Sequence, residues 1–138
     1  KDRNITNFRF NPDYRFDMIL WREVLGQLTD AFYVKPSISY LIAEGFGVGM
    51  DAIYSQALFA ESAPGQEKPL GLELDFHIFY ASEDGFVAGF DYGVLIPFGG
   101  MDNLGSNNER IATDVAGNNA DLAAGTAQRL RGYLGVKF

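Results

Sequence analysis

The sequence predicts an all-β protein: an antiparallel, up-and-down sheet turned into a transmembrane β-barrel, with about six strands and the apolar face pointing outward. Three observations lead there. Apolar residues recur at every second position over long stretches, which is the period of a strand. The alternating stretches run well beyond the usual five or six residues and match a tilted membrane-crossing strand. Short and long connections alternate along the chain, placing tight turns at one end of the sheet and long loops at the other.

Each strand can be justified in order. Residues 14–23 place Tyr14, Phe16, Met18 and Leu20 against Arg15, Asp17 and Glu23, although Arg22 falls on the apolar side and Ile19 and Trp21 on the other. Residues 32–42 set Phe32, Val34, Ile38, Tyr40 and Ile42 against Lys35, Ser37 and Ser39, with Pro36 interrupting the ladder. Residues 46–58 carry Phe46, Val48, Met50, Ala52, Tyr54 and Leu58 opposite Gly47, Gly49, Asp51 and Ser55, with Gln56 as the polar exception. Residues 70–80 alternate Leu70, Leu72, Leu74, Phe76, Ile78 and Tyr80 with Gly71, Glu73, Asp75, His77 and Phe79. Residues 85–98 alternate Phe86, Ala88, Phe90, Tyr92, Val94, Ile96 and Phe98 with Gly89, Asp91 and Gly93. The final strand, about residues 126–138, sets Leu130, Gly132, Leu134, Val136 and Phe138 against Arg129, Arg131, Tyr133, Gly135 and Lys137.

Residues 43–45 and 82–85 read as tight turns, each with a glycine where a positive φ is needed. The long links are residues 24–29, 60–69 and 99–125, the last rich in Gly, Asn and Asp. The whole of residues 1–138 reads as one barrel domain or barrel segment.

Composition removes several function classes. Eighteen Asp and Glu against eleven Lys and Arg give a net charge of −7, which offers no overall attraction to nucleic acid. The absence of Cys excludes disulfide frameworks, cysteine zinc sites and thiol nucleophiles, and a single His leaves little for imidazole chemistry. No phosphate loop, zinc-protease, nucleophile-elbow or calcium-loop motif is present, so no enzyme, cofactor or metal is expected. No run approaches the roughly 18 to 20 apolar residues of a spanning helix. The start Lys1-Asp2-Arg3, without an initiating Met, is expected of a piece of a longer product.

A sheet with one apolar face ordinarily covers a protein core. Here that face is crowded with Phe, Tyr, Leu and Ile, while the other combines charges with many glycines, the reverse of a soluble barrel's arrangement. Aromatic residues near strand ends, Tyr40, Phe46, Tyr80, Phe86 and Phe98, add the interfacial girdle of a membrane barrel.

The ending Arg129-Leu130-Arg131-Gly132-Tyr133-Leu134-Gly135-Val136-Lys137-Phe138 resembles the C-terminal strand of Gram-negative outer-membrane β-barrel proteins. That resemblance implies an outer-membrane location. It also implies that Tyr133, Val136 and Phe138 belong to a signal read by the barrel-assembly machinery, and that the 99–125 loop is extracellular while the turns near Glu44 and Asp84 are periplasmic. Residues 14–23, 57–60 and 69–74 are similar to large outer-membrane proteins of deltaproteobacterial type. Known single-chain barrels begin at about eight strands. Six strands therefore point to the C-terminal portion of a larger barrel, completed by preceding residues or other chains.

On this reading the lipid-facing residues include Phe16, Leu72, Phe76, Phe86, Phe90 and Leu134. The polar side chains expected to face the lumen are Arg15, Asp17, Glu23, Lys35, Asp51, Glu73, Asp75, His77, Asp91, Arg129, Arg131 and Lys137. Their acids fall mainly on middle strands and their bases on early and last strands, suggesting a transverse field; His77 beside Asp75 is a candidate proton-responsive pair. The leading expectation is a channel or a membrane-embedded component of a larger assembly. The alternatives are a structural or surface-binding barrel with a filled lumen, and a soluble lipocalin-like carrier.

Overall fold

A computed structural model describes residues 16–26, 30–102, 111–113, 119–121 and 123–136. The chain is all-β, built on one antiparallel sheet: β1 (Ala31–Val34), β2 (Ser37–Ala43), β3 (Phe46–Ala57), β4 (Pro69–Ala81), β5 (Phe86–Pro97) and β8 (Ala127–Val136). A small separate hairpin, β6 (Ile111–Thr113) and β7 (Asn119–Asp121), lies within the expected 99–125 loop.

β1 and β2 pair with the two halves of β3, Phe32 opposite Gln56 and Ile38 opposite Met50, so they form one strand position broken at Pro36. Proline has no N–H for the ladder, and its carbonyl instead accepts the Ala52 amide at 3.0 Å. β3, β4, β5 and β8 follow as neighbours, each antiparallel to the last. Among the described residues the sheet is open, with β1/β2 at one edge and β8 at the other.

The turns behave as their sequence requires. Gly45 has φ +73° and Gly85 φ +84°, a region costly to any residue with a Cβ. At Gly45 an added Cβ would also strike the Ala81 carbonyl. The long links share the opposite end, where the Gly65 amide donates to the Gly100 carbonyl at 2.9 Å.

One predicted strand is absent. Of residues 14–23, the described part is irregular as far as a π-helical turn at Leu20–Val24. The Val24 and Leu25 amides donate five residues back, to Ile19 and Leu20, at 3.1 and 2.8 Å. Met18 to Trp21 are four apolar residues in succession and leave no polar face for a strand to present. The segment lies against the sheet with residues 16–21 buried: Phe16, Met18, Ile19, Leu20 and Trp21 cluster with Ile53, Ala57, Ala63, Leu70 and Leu95. Leu70, expected among the outward set, joins this cluster where the β3–β4 register shifts near Ser55 and Gln56.

The face this segment covers is the charged one. Asp17, Ser55, Glu73, Asp75 and Asp91 are buried, whereas Phe76, Ile78, Tyr80, Phe86, Phe90, Ile96, Leu130, Leu134 and Val136 are exposed, Leu134 at 79%. Leu72 is half-buried on the outer face. Gln56, the polar exception there, accepts the Tyr54 hydroxyl at 3.0 Å. Phe16 departs from its expected outward position. It is buried, with its ring stacked 4.0 Å from that of Tyr33.

Candidate functional site

The strand period brings the odd-numbered polar residues of β3, β4, β5 and β8 onto one face, where they form two groups. Arg15, Lys137 and Phe138 lie outside the described residues.

The first group holds residues 16–25. The opening N–H groups of a helical turn have no partner within it, and here two carboxylates take them. Glu73 accepts the amides of Met18, Ile19 and Leu20 at 2.8, 2.7 and 2.9 Å, and Asp17 accepts that of Trp21 at 2.6 Å. Carbonyls of the segment meet cations: Lys35 donates to Phe16 at 2.6 Å, Arg129 to Met18 at 2.7 Å and Arg22 to Asp17 at 2.9 Å. The Trp21 indole N–H donates to Ser55 Oγ at 2.9 Å, and Arg129 also pairs with Glu23 at 2.5 Å. Beside Glu73, on the same face of the strand, sits Asp75, and both are buried. Asp75 Oδ1 lies over Gly93, within 2.8 Å of where a Cβ would stand, and Met18 fills the rest of that space. This oxygen and Asp17 Oδ1 are buried without hydrogen-bond partners.

Asp17 is 3% exposed. Burial pushes its carboxyl up to about 6; the Trp21 amide opposes that rise, and the charge of Glu73 adds to it.

The second group is a row of paired ionisable side chains across the sheet. Lys35 Nζ meets Asp51 Oδ2 at 2.6 Å, and His77 Nε2 meets the same oxygen at 3.3 Å. On the other side, His77 Nδ1 meets Asp91 Oδ1 at 2.9 Å. Asp91 Oδ2 then accepts Arg131 Nε and Nη2 at 2.8 and 2.5 Å. His77 thus pairs with carboxylates on both neighbouring strands, not with Asp75 two residues away. Side chains two apart on a strand share a face but sit further apart than directly opposed cross-strand neighbours. A hollow of about 370 Å³ opens here, lined by Ser37, Ser39, Gly49, Asp51, His77 and Phe79 among others.

Across the sheet the bases Lys35 and Arg131 stand outside the acids Asp51 and Asp91, and direct pairing cancels much of any field between them. Every described residue expected to face a lumen comes to this face or to the segment covering it. Sequence reasoning did not find Trp21, Ser55 or Tyr33 as parts of the arrangement. Ser55 carried a signal in its odd position, whereas Trp21, on the charged side of the expected 14–23 strand, read only as an exception to its pattern.

At the far end of the same face, aromatic rings stand in for absent side chains. A Cβ at Gly89 would fall 2.1 Å from the Tyr133 ring, and one at Gly47 2.3 Å from that of Phe79, so each glycine is the floor on which a neighbour's ring lies. Tyr133 therefore turns to the charged face, while Val136 is exposed on the apolar one.

Among the described residues no cluster of His, Asp and Glu is placed to hold a metal. No helix there is long and apolar enough to cross a membrane, which says nothing of crossing by strands. Comparison with protein-family models, curated proteins and solved structures finds no match.

Proposed function

We propose that this chain is a membrane-embedded section of an outer-membrane β-barrel wall, with residues 16–25 inside it. The observation that carries the proposal is the inverted sheet: charges covered, large apolar side chains exposed. In water, exposing Ile38 at 68%, Leu134 at 79% and Phe90 at 43% on one continuous face forfeits roughly 25 cal/mol for each Å² of apolar surface. Acyl chains remove that penalty. A lipocalin-like carrier would need this face turned inward around a ligand.

Closure follows from backbone chemistry. Unpaired N–H and C=O groups at the β1/β2 and β8 edges would each cost several kcal/mol in hydrocarbon. The sheet has five strand positions, so its two edges run in the same direction. Joining them directly would make a parallel pair, whereas an antiparallel barrel needs an odd number of added strands. Those strands come from other parts of a longer chain or from other chains, and lipid and the barrel-assembly machinery are the remaining partners.

Within this reading the filled-lumen alternative gains from residues 16–25, which occupy the charged face near the long links. The interior is expected to be narrowed there, and the chain is read as a non-enzymatic wall element. The test is reconstitution. The protein should require detergent for a monodisperse state and enter liposomes so as to resist carbonate extraction. A monodisperse protein in plain buffer would refute membrane residence. Planar-bilayer recordings then separate a conducting channel from a filled barrel.

A further inference from the structure

We infer that residues 16–25 form a proton-latched plug, a segment seated on the charged face of the sheet that detaches when Asp17, buried beside Glu73 and Asp75, ionises. This rests on reading that face as a barrel interior.

The segment is held by side-chain bonds and apolar packing, not by the ladder. Residues 16–21 bond to side chains of the sheet, Glu73, Arg129, Lys35 and Ser55, and contribute no strand to its ladder. The segment can therefore leave without breaking a strand pair. Its seat is a group of three buried acids. Glu73 and Asp75 are each 1% exposed, Asp17 packs beside them, and two of their oxygens are buried without a partner.

The groups facing this cluster come from every side. Arg22 and Glu23 lie on the segment itself, Arg129 on β8, Lys35 between β1 and β2, and Asp51 and Ser55 on β3. Each cation is engaged elsewhere: Arg22 on the Asp17 carbonyl, Arg129 on the Met18 carbonyl and Glu23, Lys35 on the Phe16 carbonyl and Asp51. None of them donates a hydrogen bond to the Asp17 or Asp75 carboxyl group among the described residues. Ionisation of Asp17 accordingly sets a second buried negative charge beside Glu73, offset only by the through-space attraction of Arg22.

Asp17 changes charge near pH 6, inside the range in which outer surfaces of cells work. If the freed segment restores an ordinary aspartate, the seated-to-free ratio falls about tenfold between about pH 5 and about pH 8.

Trp21 is the only tryptophan and is 4% exposed, so it reports seating directly. In the full chain in detergent micelles, its quenching by acrylamide should rise from about pH 5 to about pH 8 with a midpoint near 6, while the far-ultraviolet β signal stays constant. Asp17→Asn keeps an acceptor for the Trp21 amide and should hold the tryptophan protected at both pH values. Asp75→Asn should shift the midpoint. Equal quenching of the wild type across that range would overturn the latch, as would an unchanged midpoint in Asp17→Asn or loss of the β signal together with exposure of Trp21. Should the protein be monodisperse without detergent, the membrane reading fails, and the same titration in buffer still decides the latch.

Discussion

Glu73 does at the residue level what a helix usually obtains from its own preceding residues. It caps three successive amides of a segment more than fifty positions away in the chain. Charge-assisted bonds of this type contribute about 1.5 to 3 kcal/mol each, non-additively. Glu73→Ala should therefore lower stability by about 3 to 5 kcal/mol, read as the midpoint of chemical unfolding in detergent; a change below about 1 kcal/mol would deny the cap. Asp17 contributes in the opposite sense. Its carboxyl rises from 3.8 to about 6 on folding, so its stabilising share is complete below about pH 3.8 and is lost as pH rises through about 6. A shift of that size corresponds to about 3 kcal/mol at most. Stability of the wild type should thus fall between about pH 4 and pH 7 relative to Asp17→Asn, and parallel profiles for the two proteins would count against the assignment. These residue roles were only partly legible. The alternation marked Glu73, Asp75 and Asp91 as sharing a face, but which carboxylate meets which amide depends on a contact between distant segments that no local period encodes.

At the scale of elements, β3, β4, β5 and β8 follow from alternation and turn chemistry, because a period of two over ten or more residues admits no competing structure. Pro36 was visible as an interruption, and the break between β1 and β2 is its result. Residues 14–23 misled because Tyr14, Phe16, Met18 and Leu20 alternate by parity. Ile19 and Trp21 fill the intervening positions, and that continuous greasy run is what a segment buried on all sides needs. The pairing of Tyr133 with Gly89 was also out of reach, since a glycine alone does not reveal which ring crosses it. It yields a direct prediction. Gly89→Val should displace the Tyr133 ring and destabilise the β5–β8 pair by about 1 to 3 kcal/mol, and Tyr133→Ala in the same chain should recover part of that loss. Equal stability of Gly89→Val and wild type would show that the ring is not seated there.

For the whole molecule, the decisive property is the direction in which the sheet faces. A soluble sheet and a membrane wall share strands, register and turns; they differ in which face meets the solvent. Leu130→Arg distinguishes them, since Leu130 is exposed and pairs with Tyr92 midway along β5. On a lipid face near the midplane it costs about 2 to 4 kcal/mol and should block liposome insertion, whereas at a water-exposed site it is nearly neutral. The most direct measurement uses the absence of native cysteine to place single spin labels at successive positions of β5, residues 86–97, in the reconstituted protein. Labels at Phe86, Ala88, Phe90, Tyr92, Val94 and Ile96 should relax with oxygen dissolved in the lipid, and labels at Asp91, Gly93 and Leu95 should be shielded from it. Even-numbered labels that respond instead to a water-soluble nickel chelate, or that are shielded from both reagents, would contradict this orientation of the sheet.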